Sequence, residues 1–238
     1  MIDILKSLLL SFIAVAVLLP VLRYALRRLS PAGQKASISA DESRYMQKKE
    51  WQLTIAYFVF ASVLSVFFAG ALAMLASILH LSSEHMFVLT PNFKAFFAPG
   101  LLLGLTTALL PLRLSQSTLL SQDLDLYRQY LIQQEGIRST RIYRILFAFM
   151  LGISVVVLWF AMRWHVNVDE NQVQLTNMLN QERTYPHSAI ESIHYLSEEG
   201  GYLITFEDQT ILNTSYLKPV PLDMIALLSD RSGKRVIR

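Results

Sequence analysis

The sequence predicts an α+β membrane protein: four transmembrane helices followed by a small β-rich domain that closes with one helix. Three observations predict it. The chain is 53% hydrophobic and only 16% charged, where a soluble domain carries about 25% charged residues. Long apolar stretches recur before Arg163 with hardly a charge inside them. After Trp164 the apolar period shortens to two, the repeat of a half-buried strand.

The four expected spans are Ile4–Leu22, Leu53–Leu79, Phe96–Leu112 and Ile145–Met162. A helix rises 1.5 Å per residue, so about 20 residues cover the ~30 Å hydrocarbon core of a bilayer. The first stretch has Lys6 ahead of Leu8–Leu19, like a secretion signal. No small-x-small cleavage site follows, so a retained anchor is expected. The third is short, with Pro99 near its start and Pro111 near its end, and residues from Phe87 onward are expected to lengthen it. Trp51, Trp159 and Trp164 fall near the expected interfaces, where an indole keeps its ring among headgroups and its N–H wet.

Lys and Arg set the direction of such spans. Arg23, Arg27, Arg28, Lys35, Arg44, Lys48 and Lys49 crowd the loop 23–50, and Arg113, Arg128, Arg138, Arg141 and Arg144 crowd the loop 113–144. The opposite segments hold Lys6, Lys94 and Arg163. Both basic loops are therefore expected in the cytoplasm, with the N-terminus and the segment 164–238 outside it. A re-entrant third span would invert the second of these and leave the C-terminal domain cytoplasmic. Arg23, Arg27 and Arg28 share one side of a helical extension and are candidate contacts for anionic headgroups, although topology alone accounts for them.

Within the loops, Ser39-x-x-Glu42 reads as a capping box that opens a helix running into the second span. Leu120, Leu124, Tyr127 and Leu131 recur at helical spacing, and Gly136 suits a helix end. A helical hairpin is expected there, its apolar stripe packed within the chain.

In the 164–238 domain, Val166 and Val168 precede a turn at "DENQ", and Val173 and Leu175 follow it. Further strands are expected around Ile190, Ile193 and Tyr195, then Tyr202, Ile204 and Phe206 after the "EEGG" turn, then "QTILNTSYL". "PLDMIALLSDRSG" reads as a closing amphipathic helix with Pro221 in its first turn and Gly233 at its end.

The order "VNVDENQVQL", "TYPHSAIESIHYL", "GGYLITFEDQT" and a helix opening at "VPLDMIALL" resembles bacterial PH-like domains, in particular the C-terminal domain of YcxB-like membrane proteins. The similarity covers the last third of the chain. It implies a scaffold or interaction domain in a bacterial cytoplasmic (inner) membrane and brings no catalytic residues with it. The chain departs from that family in its number of spans, in the side on which the domain is expected, and in a segment too short for a complete PH barrel. Up to Asp230 acids far outnumber bases, which makes the body a poor receptor for lipid phosphate.

No chemistry-bearing constellation emerges. Absence of cysteine excludes disulfides and thiolate sites. No span has a charge near its midpoint, the usual mark of an ion or proton path. His80, Glu84 and His85 lie near one another without an evident third metal ligand. His165, His187 and His194 lack a triad-like context, and Asn213-Thr214-Ser215 is a sequon of no expected consequence. Catalytic, cofactor-binding and metal residues are therefore none, and a nucleic-acid partner is not expected. Gly100, Gly104 and Ala108 form a stripe of small residues suited to close helix packing, within the chain or across a homo-oligomer seam. The expected function is non-enzymatic: a membrane protein that contacts lipids and presents an interaction domain to a protein partner. The alternative is an accessory subunit of a transporter or channel, for which Thr54, Ser62, Ser65, Thr106, Thr107 and Ser154 would have to face a common cavity.

Overall fold

The computed structural model describes residues 5–6, 8–10, 12–14, 16–17, 21, 38–80, 85–120, 123–136, 139–196 and 200–237. Arg23, Arg27, Arg28 and Glu84 lie outside the described residues, as does much of the expected first span. The helices are α1 (Ala40–Leu79), α2 (Phe97–Thr107), α3 (Leu109–Leu120), α4 (Leu124–Glu135), α5 (Ser139–Ala161) and α6 (Leu222–Ser232). The strands are β1 (Phe87–Leu89), β2 (His165–Val168), β3 (Gln172–Thr176), β4 (Glu182–Pro186), β5 (Ile190–Leu196), β6 (Gly201–Phe206), β7 (Ile211–Asn213) and β8 (Val236–Ile237). They divide into two compact units, Met1–Phe68 with Pro99–Val155, and Ala69–Ala98 with Val156–Arg238.

Among the described residues two helices are long and apolar enough to cross a membrane, Ala40–Leu79 and the Arg141–Ala161 part of α5. Two of the four expected spans are thus supported, while much of the first lies outside the described residues. The expected third span is a shorter apolar stretch, Phe97–Leu112, and it is broken at Ala108 between α2 and α3. Pro111 accounts for the break. It has no N–H for the Thr107 carbonyl, and its ring crowds that carbonyl. Helical bonds from Ala108 N–H to Gly104 O (2.9 Å) and from Leu112 N–H to Ala108 O (3.2 Å) carry the chain past it.

In the first unit, α1 opens on the capping box. Ser39 donates to the Glu42 carboxylate from its backbone N–H (3.0 Å) and its hydroxyl (2.8 Å), and Glu42 N–H donates back to Ser39 Oγ at 3.3 Å. Those donors hold the Glu42 carboxyl below its ordinary pKa. The loop 113–144 folds onto α1 through polar contacts. Tyr130 Oη donates to Glu50 at 2.9 Å, Tyr45 Oη to Asp123 at 3.0 Å, and Lys49 Nζ to the Leu119 carbonyl at 3.0 Å. Met46, Leu120 and Tyr130 are buried. Gly136 ends α4 at φ 84, its N–H returning to Ile132 O.

The second unit contains two four-stranded sheets, ordered β1-β2-β3-β4 and β7-β6-β5-β8. All pairs are antiparallel except β5 with β8. The core takes Val166, Val168 and Val173 from the first sheet and Ile190, Ile193, Ile204 and Phe206 from the second; α6 adds Met224, Ile225 and Leu228. Pro221 caps the start of α6, and Gly233 ends it in the left-handed region at φ 67.

β1 corrects a second expectation. Residues from Phe87 do not lengthen a helix. They form a strand paired with β2, Phe87 opposite Val168 and Leu89 opposite Val166. The first sheet is thus completed by a segment that precedes α2.

Candidate functional site

β1 is held in the domain by more than its ladder. Leu89 is buried in the core, and Ser77 of α1 shares a 3.1 Å hydroxyl contact with Thr90. Pro91 bridges to Leu217, and Lys218 N–H donates to Thr90 O at 2.9 Å. The Asn92 side-chain amide donates to Ser215 O and Leu217 O at 2.9 and 2.8 Å, while its carbonyl oxygen accepts from Lys94 and Ala95 N–H.

Histidines gather on the first sheet. The His80 and His165 rings lie 4.3 Å apart between centroids, tilted by 34°. Each donates from Nδ1 to a carbonyl close by in the chain, His80 to Ala76 O (2.8 Å) and His165 to Arg163 O (2.9 Å). Burial pushes the His165 pKa below its ordinary value and the neighbouring His80 and His85 push the same way, whereas the Arg163 carbonyl and Glu182 oppose. His85 donates to the Asp169 carboxylate at 3.0 and 3.1 Å. His187 is buried, donates from Nε2 to Asp169 O at 2.8 Å, and has no partner for Nδ1. No group of three His, Cys, Asp or Glu side chains among the described residues is arranged to hold a metal ion.

A groove of 260 Å³ opens between β2–β3 and β7, lined by Trp164, Val166, Leu175, Thr176, Asn177, Ile211, Leu212, Asn213 and Tyr216. Its lining is mainly apolar, Ile211 and Tyr216 stand exposed at its rim, and the Thr176 hydroxyl is buried without a hydrogen-bond partner. Such a groove has the shape and lining to hold an apolar or aromatic side chain. The acids at the β2–β3 and β6–β7 turns lie away from it. Of these, Asp208 accepts from Tyr185 Oη at 2.7 Å, with Arg183 at 3.9 Å, and its carboxyl is held below the usual range chiefly by the Tyr185 hydroxyl.

The remaining sequence candidates are placed as follows. Gly100, Gly104 and Ala108 are all buried, and a Cβ on Gly104 would collide with the Oγ, N and Cα of Ser65. Of the six hydroxyls, Thr54, Ser65, Thr106, Thr107 and Ser154 each donate to the carbonyl four residues earlier, while the buried Ser62 hydroxyl has no hydrogen-bond partner among the described residues. Thr106 and Ser154 also lie 3.4 Å apart. Asn213 of the sequon accepts from Ser215 N–H at 2.9 Å, and Thr214 Oγ1 accepts from Tyr202 N–H at 2.7 Å. The sequence reading missed β1, β4 and β8 and the meeting of His85 with Asp169. For β1 a signal existed, an aromatic and β-branched run stopped by Pro91. Comparisons of the chain with protein-family models, with curated proteins and with solved structures found no match.

Proposed function

We propose that this chain is a non-enzymatic, multi-pass protein of a bacterial cytoplasmic membrane that holds a small PH-like domain outside the cytoplasm as a docking module for another membrane or envelope protein. One observation carries the reading. β1, which precedes α2, and β2, which follows α5, are neighbours in one sheet, so both lie on the same side of any membrane. With α5 crossing the membrane, the path from Phe97 to Ala161 leaves that side and returns to it, the shorter apolar stretch Phe97–Leu112 making the other passage. The turning segment between holds Arg128, Arg141 and Arg144, and basic connectors stay in the cytoplasm. The β domain falls on the opposite face. Support for a PH-like domain comes from two sheets closed by a C-terminal helix, with β1 supplying the strand that the segment 164–238 lacks. Support for docking comes from the apolar groove between β2–β3 and β7.

Two experiments test this. Alkaline phosphatase fused after Arg238 is expected to be active in cells and a fluorescent protein at the same place dark; the reverse pattern overturns the orientation. A photo-crosslinking residue at Ile211, on the groove rim, is expected to give a discrete protein adduct in native membranes. Adducts to lipid alone, or none, overturn the docking role.

A further inference from the structure

We infer that the β3–β4 turn is a second membrane contact: it dips Met178 and Leu179 into the lipid beside the end of α5. The inference rests on the reading that α5 crosses the bilayer. β2 begins at His165, just past the last turn of α5, and runs away from it. β3 returns antiparallel, with His165 opposite Thr176 and Val168 opposite Val173. The turn that follows, residues 177–181, therefore stands level with Trp164, at the end of the sheet where the chain emerges from α5. Trp159, exposed on α5 with the Arg163 guanidinium 4.8 Å from its ring centre, marks the interfacial depth there.

The turn is built to enter a poorly hydrated layer. Asn177 organises it: its Oδ1 accepts from Leu179 and Gln181 N–H, both at 2.9 Å, and its Nδ2 donates to Gln181 Oε1 at 3.0 Å. Asn177 N–H donates to Gln181 O at 3.1 Å and Asn180 N–H to Asn177 O at 3.0 Å. Asn180 takes the left-handed conformation at φ 60 that closes the loop. Most of the loop's backbone donors are thus satisfied internally, which removes the main cost of taking a loop out of water. What the loop presents outward is apolar: Leu179 is 64% exposed and Met178 45%. Asparagine and glutamine hold the loop, two adjacent apolar side chains occupy its tip, and no other described residue covers them. The neighbouring Glu182 opposes attraction to anionic headgroups, so the insertion is apolar and does not depend on lipid charge.

The chain has no cysteine, which permits single-cysteine labelling of the full-length protein. Leu179→Cys, Glu207→Cys and Val156→Cys, all at exposed positions, are each labelled with an environment-sensitive nitrobenzoxadiazole and reconstituted into uncharged phosphatidylcholine vesicles. The label at 179 is expected to emit to the blue of that at 207 and to be quenched by brominated acyl chains, with the label at 207 unquenched. Emission and quenching at 179 equal to those at 207, while the label at 156 is quenched by bromolipid, overturn the insertion and leave the spanning role of α5 intact. Loss of bromolipid quenching at 156 as well overturns both.

Discussion

The side-chain amide of Asn92 spans the carbonyls of Ser215 and Leu217, at 2.9 and 2.8 Å. It joins the segment between β1 and α2 to the turn that follows β7. Replacing it by alanine leaves two part-buried carbonyls without that donor, at a cost of about 1–3 kcal/mol. Asn92→Ala is expected to lower the melting temperature of the detergent-solubilised protein, and Asn92→Asp to lower it further, because a carboxylate would face two carbonyl oxygens. An unchanged melting temperature in both would show that the clamp contributes nothing.

Leu89 tests whether β1 is integral to the domain. It is 3% exposed in the same core as Val166 and Phe206, and truncating a core leucine costs about 2–5 kcal/mol. Leu89→Ala, though far in sequence from residue 164, is expected to make the C-terminal domain susceptible to limited proteolysis. Cleavage confined to the segment before α2, with the domain still resistant, would contradict the strand's role.

Gly104 lies against Ser65 with no room for a methyl group. Gly104→Ala forces α1 and α2 apart at roughly 1–3 kcal/mol, and Ser65→Gly in the same chain is expected to restore only the part due to Oγ, because the N and Cα of residue 65 still meet the new methyl group. Gly104→Leu exceeds what Ser65→Gly can relieve. Melting curves of the single and double variants measure the coupling; simple additivity would separate the two sites. If Gly104→Leu changed only oligomer size, with folding intact, the stripe would be a seam between copies.

His165 makes stability depend on pH in a defined direction. Its folded pKa lies below the ordinary 6.5, mainly through burial. Below 6.5 the unfolded chain therefore takes up a proton that the folded domain refuses. Its contribution is complete above 6.5 and is lost as pH falls from there toward the folded value. Wild-type melting temperature is expected to drop over that window, and His165→Gln to flatten the drop. A profile equally steep in the variant would assign the effect to other groups.

Much of the fold was legible locally. Ser39 and Glu42 announced the start of α1, and Pro221 and Gly233 bracketed α6, because caps are decided by residues three or four apart. Strands β3 and β6 showed their two-residue period. β1 was not legible as a strand, because Phe87-Val88-Leu89 reads equally well as a helix extension and its partner lies beyond four further helices. β4 exposes most of its residues and so lacks an alternating pattern. Pro111 was noted, but an apolar run on both sides of it concealed the break at Ala108. The candidate sites suffered from the same distance. His85 and Asp169 are brought together only by the pairing of β1 with β2, and the groove between β2–β3 and β7 draws on strands from both sheets.

The late arrival of β2 gives β1 a role in biogenesis. Residues 87–89 are synthesised long before residues 166–168, so the first sheet cannot close until α2 to α5 have been made. Pairing at so long a separation is slow. A protease-resistant β domain, in pulse-labelled cells, would then report that the whole chain through β2 has been made and paired, and chains stopped short would leave an unsealed sheet for proteases to find.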